Sequence, residues 1–193
     1  MKYKKIILPI VGIVIALSVI LSSIQLYIVN QRFPNANTIS HTLNEMINGG
    51  NTSLIVMDSQ LLDGVQINQL YPEYVDSVLN PDGTQVRPEQ IKVLLIHAKL
   101  INNTEETQKM TLVQMYAESL IWYNGIDGGL YPLFNPDNPN PIEVTLEPNQ
   151  EIEVSIPYTM YDFQFQQQDW IDIRSRKFDL CLSFYPDRHI ISL

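Results

Sequence analysis

Apolar and polar positions alternate along most of this chain, but not at its start. Residues 6–29 are almost wholly apolar, and no charge falls between Lys5 and Arg32. At the helical rise of ~1.5 Å per residue, such a run reaches ~36 Å, enough to cross a hydrocarbon core of ~30 Å with some tilt. Pro9 and Gly12 sit in the first turns, where a membrane helix tolerates them. The pattern predicts a basic tip at 1–5 and a transmembrane helix at 6–29. Residues 30–50 are polar and end in Gly49-Gly50. Ile39, Leu43, Met46 and Ile47 fall at helical spacing around Ser40, a capping residue, which predicts a stalk holding one short helix.

From Leu54 the period changes to two, the signature of a strand. Ile55, Met57 and Leu61 alternate with Val56, Asp58 and Gln60. Asp63-Gly64 reads as a turn. Pro72 suits the first position of a helix, with Tyr71, Val75, Val78 and Leu79 on one face. Residues 91–100 carry the clearest strand. Leu94, Ile96, Ala98 and Leu100 are expected inward; Val93, Leu95, His97 and Lys99 take the other face. Residues 111–116 and 118–123 are expected as further strands. Four prolines between 131 and 141 predict a long loop, because proline cannot donate to a ladder. Ile142, Val144 and Leu146 and then Ile152, Val154 and Ile156 alternate with polar partners across Glu147-Pro148-Asn149-Gln150, which reads as a β-hairpin with an acidic outer face. Phe178, Leu180, Leu182 and Phe184 form another strand, and residues 189–193 a last one pairing back. Seven or so short strands predict an antiparallel β-sandwich over 51–193.

Charge and cysteine count narrow the setting. Lys2, Lys4 and Lys5 precede the apolar run, which predicts a cytoplasmic N-terminus and an extracytoplasmic remainder. A cleaved signal peptide is the competing reading, but its apolar core is usually ~7–15 residues and ends in small residues. Three of the 12 basic residues precede the run and no acidic one does. The remainder therefore sets nine basic against 21 acidic residues, a net charge of −12. That excludes nucleic acid and anionic headgroups as natural partners. With Cys181 as the one cysteine, no internal disulfide can form, so the fold rests on its hydrophobic core.

Three stretches together resemble a group of Gram-positive, membrane-anchored cell-surface proteins of unknown function. Leu94 to Thr104, ending Asn102-Asn103-Thr104, is similar to their strand followed by an Asn-Asn-Thr/Ser turn. Leu146-Glu147-Pro148-Asn149-Gln150 is similar to their Leu-x-Pro-Gly turn, with Asn149 in the place of Gly. Leu182-Ser183-Phe184-Tyr185-Pro186 is similar to their closing strand. The resemblance implies a telokin-like, immunoglobulin-like domain behind a single N-terminal membrane helix. It carries no reaction and no catalytic residue.

Candidate chemistry is sparse. His41, His97 and His189 are far apart with no metal spacing, and no nucleotide, zinc-protease or serine-hydrolase motif occurs. Asp169 and Asp172 flank Trp170, but on a strand that odd separation would put them on opposite faces. Asp127, Asn135, Asp137 and Asn138 lack EF-hand spacing. Cys181 lies within a strand. The most suggestive residues are the aromatics among the loops of 116–141: Trp122, Tyr123, Tyr131 and Phe134 are the candidate ligand or partner contacts. No cofactor and no metal is expected. The function expected is a protein-interaction module at the cell envelope, facing another envelope protein, with a glycan- or small-ligand-binding domain using the 116–141 loops as the alternative.

Overall fold

A computed structural model describes residues 4–33 and 36–193, with side chains from Ile15 onward. Two compact units result, the first ending at Asn37 and the second spanning Thr38–Leu193. The first holds helix α1 (Lys4–Arg32). From Ile15 to Val29 its large apolar side chains are exposed on every side. Ser23 returns its hydroxyl proton to the Val19 carbonyl at 2.8 Å. Among the described residues, no helix is long and apolar enough to cross a membrane. The side chains of 6–14, the first part of the anchor expected at 6–29, lie outside the described residues. So do the side chains of Lys2, Lys4 and Lys5, on which the expected orientation rests.

The second unit is a β-sandwich. One sheet has five strands in the order β1 (Asn37–His41), β11 (Asp187–Ser192), β10 (Asp179–Cys181), β6 (Tyr116–Ser119), β7 (Trp122–Gly125). The other has four, β2 (Met46–Asn48), β3 (Thr52–Asp63), β4 (Ile91–Asn102), β9 (Glu151–Tyr161). A separate pair joins β5 (Gln108–Met110) to β8 (Val144–Leu146). The core contains the set expected on β4, with Leu94, Ile96, Ala98 and Leu100 all buried. Val154, Ile156, Tyr158 and Met160 of β9 join it, as do Ala117, Trp122, Leu180 and Ile191 from the other sheet. Alternation on the long strands thus places one full face of each against the opposing layer.

β4 is buried on both faces at its start. Ile91 and Val93 pack with Ile67, Val75, Val86 and Leu130 in a second cluster. Helices α2 (Gly64–Leu70) and α3 (Pro72–Ser77) supply Ile67 and Val75. Pro72 opens α3 as expected, and Val75 is buried while Leu79 is exposed. Asp63-Gly64 is not a free turn but the start of α2. Gly64 is required there, since a Cβ would lie 2.0 Å from the Pro88 carbonyl oxygen.

Four expectations are corrected. Residues 39–47 hold no helix: they are β1 and β2, joined through Asn44 at φ 65°, a left-handed bend no helix continues through. The apolar spacing that suggested a helix instead serves two strands in different sheets, with Leu43 and Ile47 packed on the core. His41 Nε2 and His189 Nδ1, 148 residues apart, share a proton at 2.9 Å, and His41 Nδ1 meets Glu45 at 2.7 Å, so β1 is clasped to β11. Residues 111–115 are a turn, and the strand starts at Tyr116. The 142–146 and 152–156 runs do not pair with each other; β8 pairs with β5, and β9 pairs with β4. Alternation marks a strand but does not name its partner. The 178–185 run is a strand only over Asp179–Cys181, and Phe184 and Tyr185 are exposed.

The turn between β8 and β9 is held by Asn102, which is 2% exposed. Its amide donates to the carbonyls of Glu106 (2.8 Å), Leu146 (3.1 Å) and Glu147 (2.9 Å). Its side-chain oxygen accepts from the Thr104 amide (3.0 Å) and hydroxyl (2.9 Å). Asn149 completes the turn at φ 57°, a conformation asparagine tolerates. Replacement Asn102→Asp keeps the shape and removes both donated protons. Urea unfolding is expected to show a loss of about 3 kcal/mol, because buried carbonyls lose their partners. A loss under about 1 kcal/mol would show that the turn holds without it.

Candidate functional site

The hairpin β6–β7 turns in two residues, Leu120 and Ile121, since Ser119 pairs with Trp122. Leu120 sits at φ 55° while Ile121 does not take a positive φ. That is the sign pattern of a type II′ turn, whose first position belongs by sterics to glycine. Yet both side chains are large and apolar, and they are 88% and 96% exposed. Tyr123, the next outward residue on β7, is also exposed. Between them Trp122 points inward, 7% exposed, edge-on to Phe178 and tilted against Phe165. Its indole N–H donates to Gln164 Oε1 at 3.3 Å.

Gln164 belongs to the segment that leaves β9. A 3₁₀ turn, Asp162–Gln164, is closed by the Gln164 side chain accepting from the Tyr161 amide at 3.0 Å. This fixes Phe163, half-exposed, in a parallel stack on Tyr161 at 5.4 Å. Helix α5 (Gln167–Ile171) follows, and Asp169 there pairs with Arg176 at 3.1 Å. The Arg176 guanidinium also lies over Phe165 at 5.3 Å. Ile121, Tyr123, Phe163 and Arg176 together border a cavity of about 330 Å³. Phe163 and Phe165 also border a wider groove of about 970 Å³ on their far side. The result is a polar-walled, aromatic face with an apolar hairpin tip projecting beside it.

The four aromatics expected to make contacts are divided by the fold. Trp122 and Tyr123 meet at this face, the first as its floor and the second at its surface. Tyr131 is fully buried at the start of helix α4 (Tyr131–Phe134). Phe134 packs edge-on against Tyr71 at 5.2 Å. The segment from the end of β7 through α4 covers the open edge of β9. Asp127 N–H donates to the Pro157 carbonyl at 2.8 Å, Asn124 to the Thr159 carbonyl at 2.8 Å, and Asn135 exchanges two bonds with Ser155 at 2.7 and 2.8 Å. Those residues serve to blunt a sheet edge. Leu120, Ile121, Phe163 and Arg176 were not legible as site residues. The available signal was Leu120-Ile121, an apolar pair that fits neither face of a two-periodic strand.

Other candidate groups are occupied. Asp127 accepts from Tyr74 and Thr159 hydroxyls at 2.6 Å each and from the Gly129 and Leu130 amides at 2.9 Å each. Among the described residues, no group of three or more His, Cys, Asp or Glu is placed to hold a metal ion. His97 Nδ1 meets Ser155 Oγ at 3.0 Å, but its Nε2 is taken by Gln60 at 3.1 Å, with Asp58 3.9 Å away. The carboxylate therefore does not orient the ring as an acid–base relay requires. Burial, and then the Glu118 carboxylate, push the Cys181 thiol up, away from nucleophilic character. Asp169 and Asp172 lie on and just after α5, and Asp169 is committed to Arg176.

A family described as "Domain of unknown function (DUF5028)" matches residues 24–189, and the chain belongs to it. A search of curated proteins finds no match. Among solved structures the chain is similar to an uncharacterized β-sandwich protein from Clostridium difficile 630, at 8% identity and TM-score 0.47 over 82% of this chain and 95% of that one. It is also similar to the yjhA protein from Bacillus subtilis, at 10% identity and TM-score 0.47 over 79% and 99%. A conserved hypothetical protein from Bacillus anthracis is similar at 12% identity and TM-score 0.45 over 78% and 94%.

Three phenols of the sandwich unit, two buried and one partly so, give a pH dependence. Burial, followed by the Asp127 charge, pushes Tyr74 well above its ordinary value; burial pushes Tyr131 up to about 12 and Tyr158 higher still. In the unfolded chain all three ionise near ~10. The unfolded state therefore releases protons first, so their contribution is intact below about pH 10 and lost as pH rises toward the folded values. Absorbance titration is expected to show these three of the 10 tyrosines silent until circular dichroism reports unfolding. Full phenolate absorbance before unfolding would contradict the burial.

Proposed function

We propose that this family member is a membrane-anchored, extracytoplasmic interaction module. It presents the Leu120–Ile121 tip, with Tyr123 and Phe163 beside it, to another protein of the cell envelope. The observation that carries the reading is Leu120. A left-handed leucine costs about 1–2 kcal/mol relative to an ordinary conformation, and its exposed side chain recovers none of that inside the fold. Strain retained at an exposed apolar tip is the pattern of a binding surface. The anchor reading is supported by the uncharged run of 6–29 and by the all-round apolar surface of α1 from Ile15. The net charge of −12 beyond it supports a protein partner over an anionic surface.

The glycan alternative at the 116–141 loops loses support, since Trp122 and Tyr131 are buried. The double replacement Leu120→Gly, Ile121→Ser separates fold from function. Stability is expected to hold or to rise by about 1 kcal/mol, while photo-crosslinking from position 123 in intact membranes loses its protein adduct. Unchanged crosslinking, or an adduct to lipid alone, would sink the protein-partner reading. Protease added to intact cells is expected to cut the sandwich unit; full protection would sink the extracytoplasmic reading.

A further inference from the structure

The groove of about 970 Å³ on the far side of Phe163 has its own chemistry. Its volume is near the top of the ~300–1,000 Å³ range of small-ligand sites. One wall is the 80–90 segment, the other the 162–171 segment. Gln90 joins them. Its side-chain oxygen accepts from the Arg87 amide (3.0 Å) and Nε (3.3 Å), and its amide donates to Asp162 Oδ2 at 3.0 Å. Trp170, on the second wall, is held between Phe165 at 5.7 Å and the Lys92 ammonium at 5.1 Å. The groove is thus pre-formed.

Its unspent hydrogen-bonding groups are of both kinds. The terminal nitrogens of Arg87 and the whole side-chain amide of Gln167 take no partner among the described residues. One oxygen of Asp162 and one of Asp82 are likewise open, the other Asp82 oxygen being bound by Thr84. A ligand that meets all of them must donate and accept at closely spaced points, which hydroxyl groups do. Two carboxylates against one guanidinium, on a unit with eight basic and 21 acidic residues, repel a polyanion. The walls are turns and a short helix, so no strand edge is offered to an extended peptide. Phe163, half-exposed, supplies the flat apolar surface that the C–H face of a sugar ring requires, and Trp170 lines the wall beside it.

We propose that this groove binds a neutral oligosaccharide, a ring against Phe163 beside the Trp170 wall and its hydroxyls on Arg87, Asp162 and Gln167. The groove shares Phe163 with the face beside the hairpin tip, but it uses neither Leu120 nor Ile121 and none of the 116–141 loops.

The test uses the full chain in a detergent without a sugar headgroup, read by intrinsic fluorescence, Trp170 lining the groove while Trp122 is buried. The probes are the tetramers of glucose and of N-acetylglucosamine, a glycerol phosphate oligomer, and a mixture of octapeptides. A saturable shift with at least one neutral tetramer is expected, weakened about tenfold in Gln167→Ala and in Asp162→Asn, and unchanged in the Leu120→Gly, Ile121→Ser protein. No saturable shift with either tetramer at millimolar concentration would overturn the proposal. A shift given by the octapeptides or the phosphate oligomer, and lost in the same two variants, would overturn it in favour of that class. Because the tip variant is a control here, failure of groove binding leaves the tip reading to its own crosslinking test.

Discussion

One buried amide organises the sandwich. Asn102 ends one of the two 12-residue core strands, and its side chain gathers carbonyls from two other segments. Its backbone amide adds a bond to the Gln150 carbonyl at 2.9 Å, and Asn149 N–H donates to the Thr104 carbonyl at 3.0 Å. The Asn-Asn-Thr turn and the Leu-Glu-Pro-Asn turn, 44 residues apart along the chain at their closest bond, are therefore one structural unit. A buried donor that satisfies several acceptors is worth most where no alternative partner exists. This explains why the two turns that suggested a known architecture belong together.

Glutamine side chains repeat a smaller device. Gln66, Gln90, Gln150 and Gln164 each accept from the backbone amide three residues earlier, at 2.7–3.0 Å. Each closes a turn at the end or start of a long strand. The geometry is the returning half of a capping box, and it satisfies a donor that the turn would otherwise leave open. Without disulfides, these local closures and the two apolar clusters do the fixing.

Strand content was readable because a two-residue period forces one face inward. Residues 91–100, 152–156 and 179–181 are strand where the alternation put them, and Pro72 opened its helix for the stated steric reason. Pairing was not readable. β8 and β9 flank a short turn and look like a hairpin, yet the Asn102 cluster sends them to different partners. The 39–47 run failed for another reason: too few apolar positions separate a helical period from two short strands. The site was half legible. Aromatic residues in loops suggested contacts, but Tyr131 and Trp122 had enough apolar area to be drawn into the core. The loop prolines mark edge protection instead, where missing donors do no harm.

The register of β9 links the two ends of the molecule. The strand begins at Glu151, beside the Asn102 cluster, and ends at Tyr161, where Gln164 takes its amide. All eleven of its described pairings with β4 run without a bulge, from Ile101↔Glu151 to Ile91↔Tyr161. A slip of one residue at the Asn102 end would turn every side chain to the opposite face. Tyr161 would then leave its stack with Phe163, and the wall shared by the small cavity and the wide groove would lose its shape. The aromatic face is thus set by a polar cluster at the far end of the same strand, through backbone geometry and not through side-chain contact.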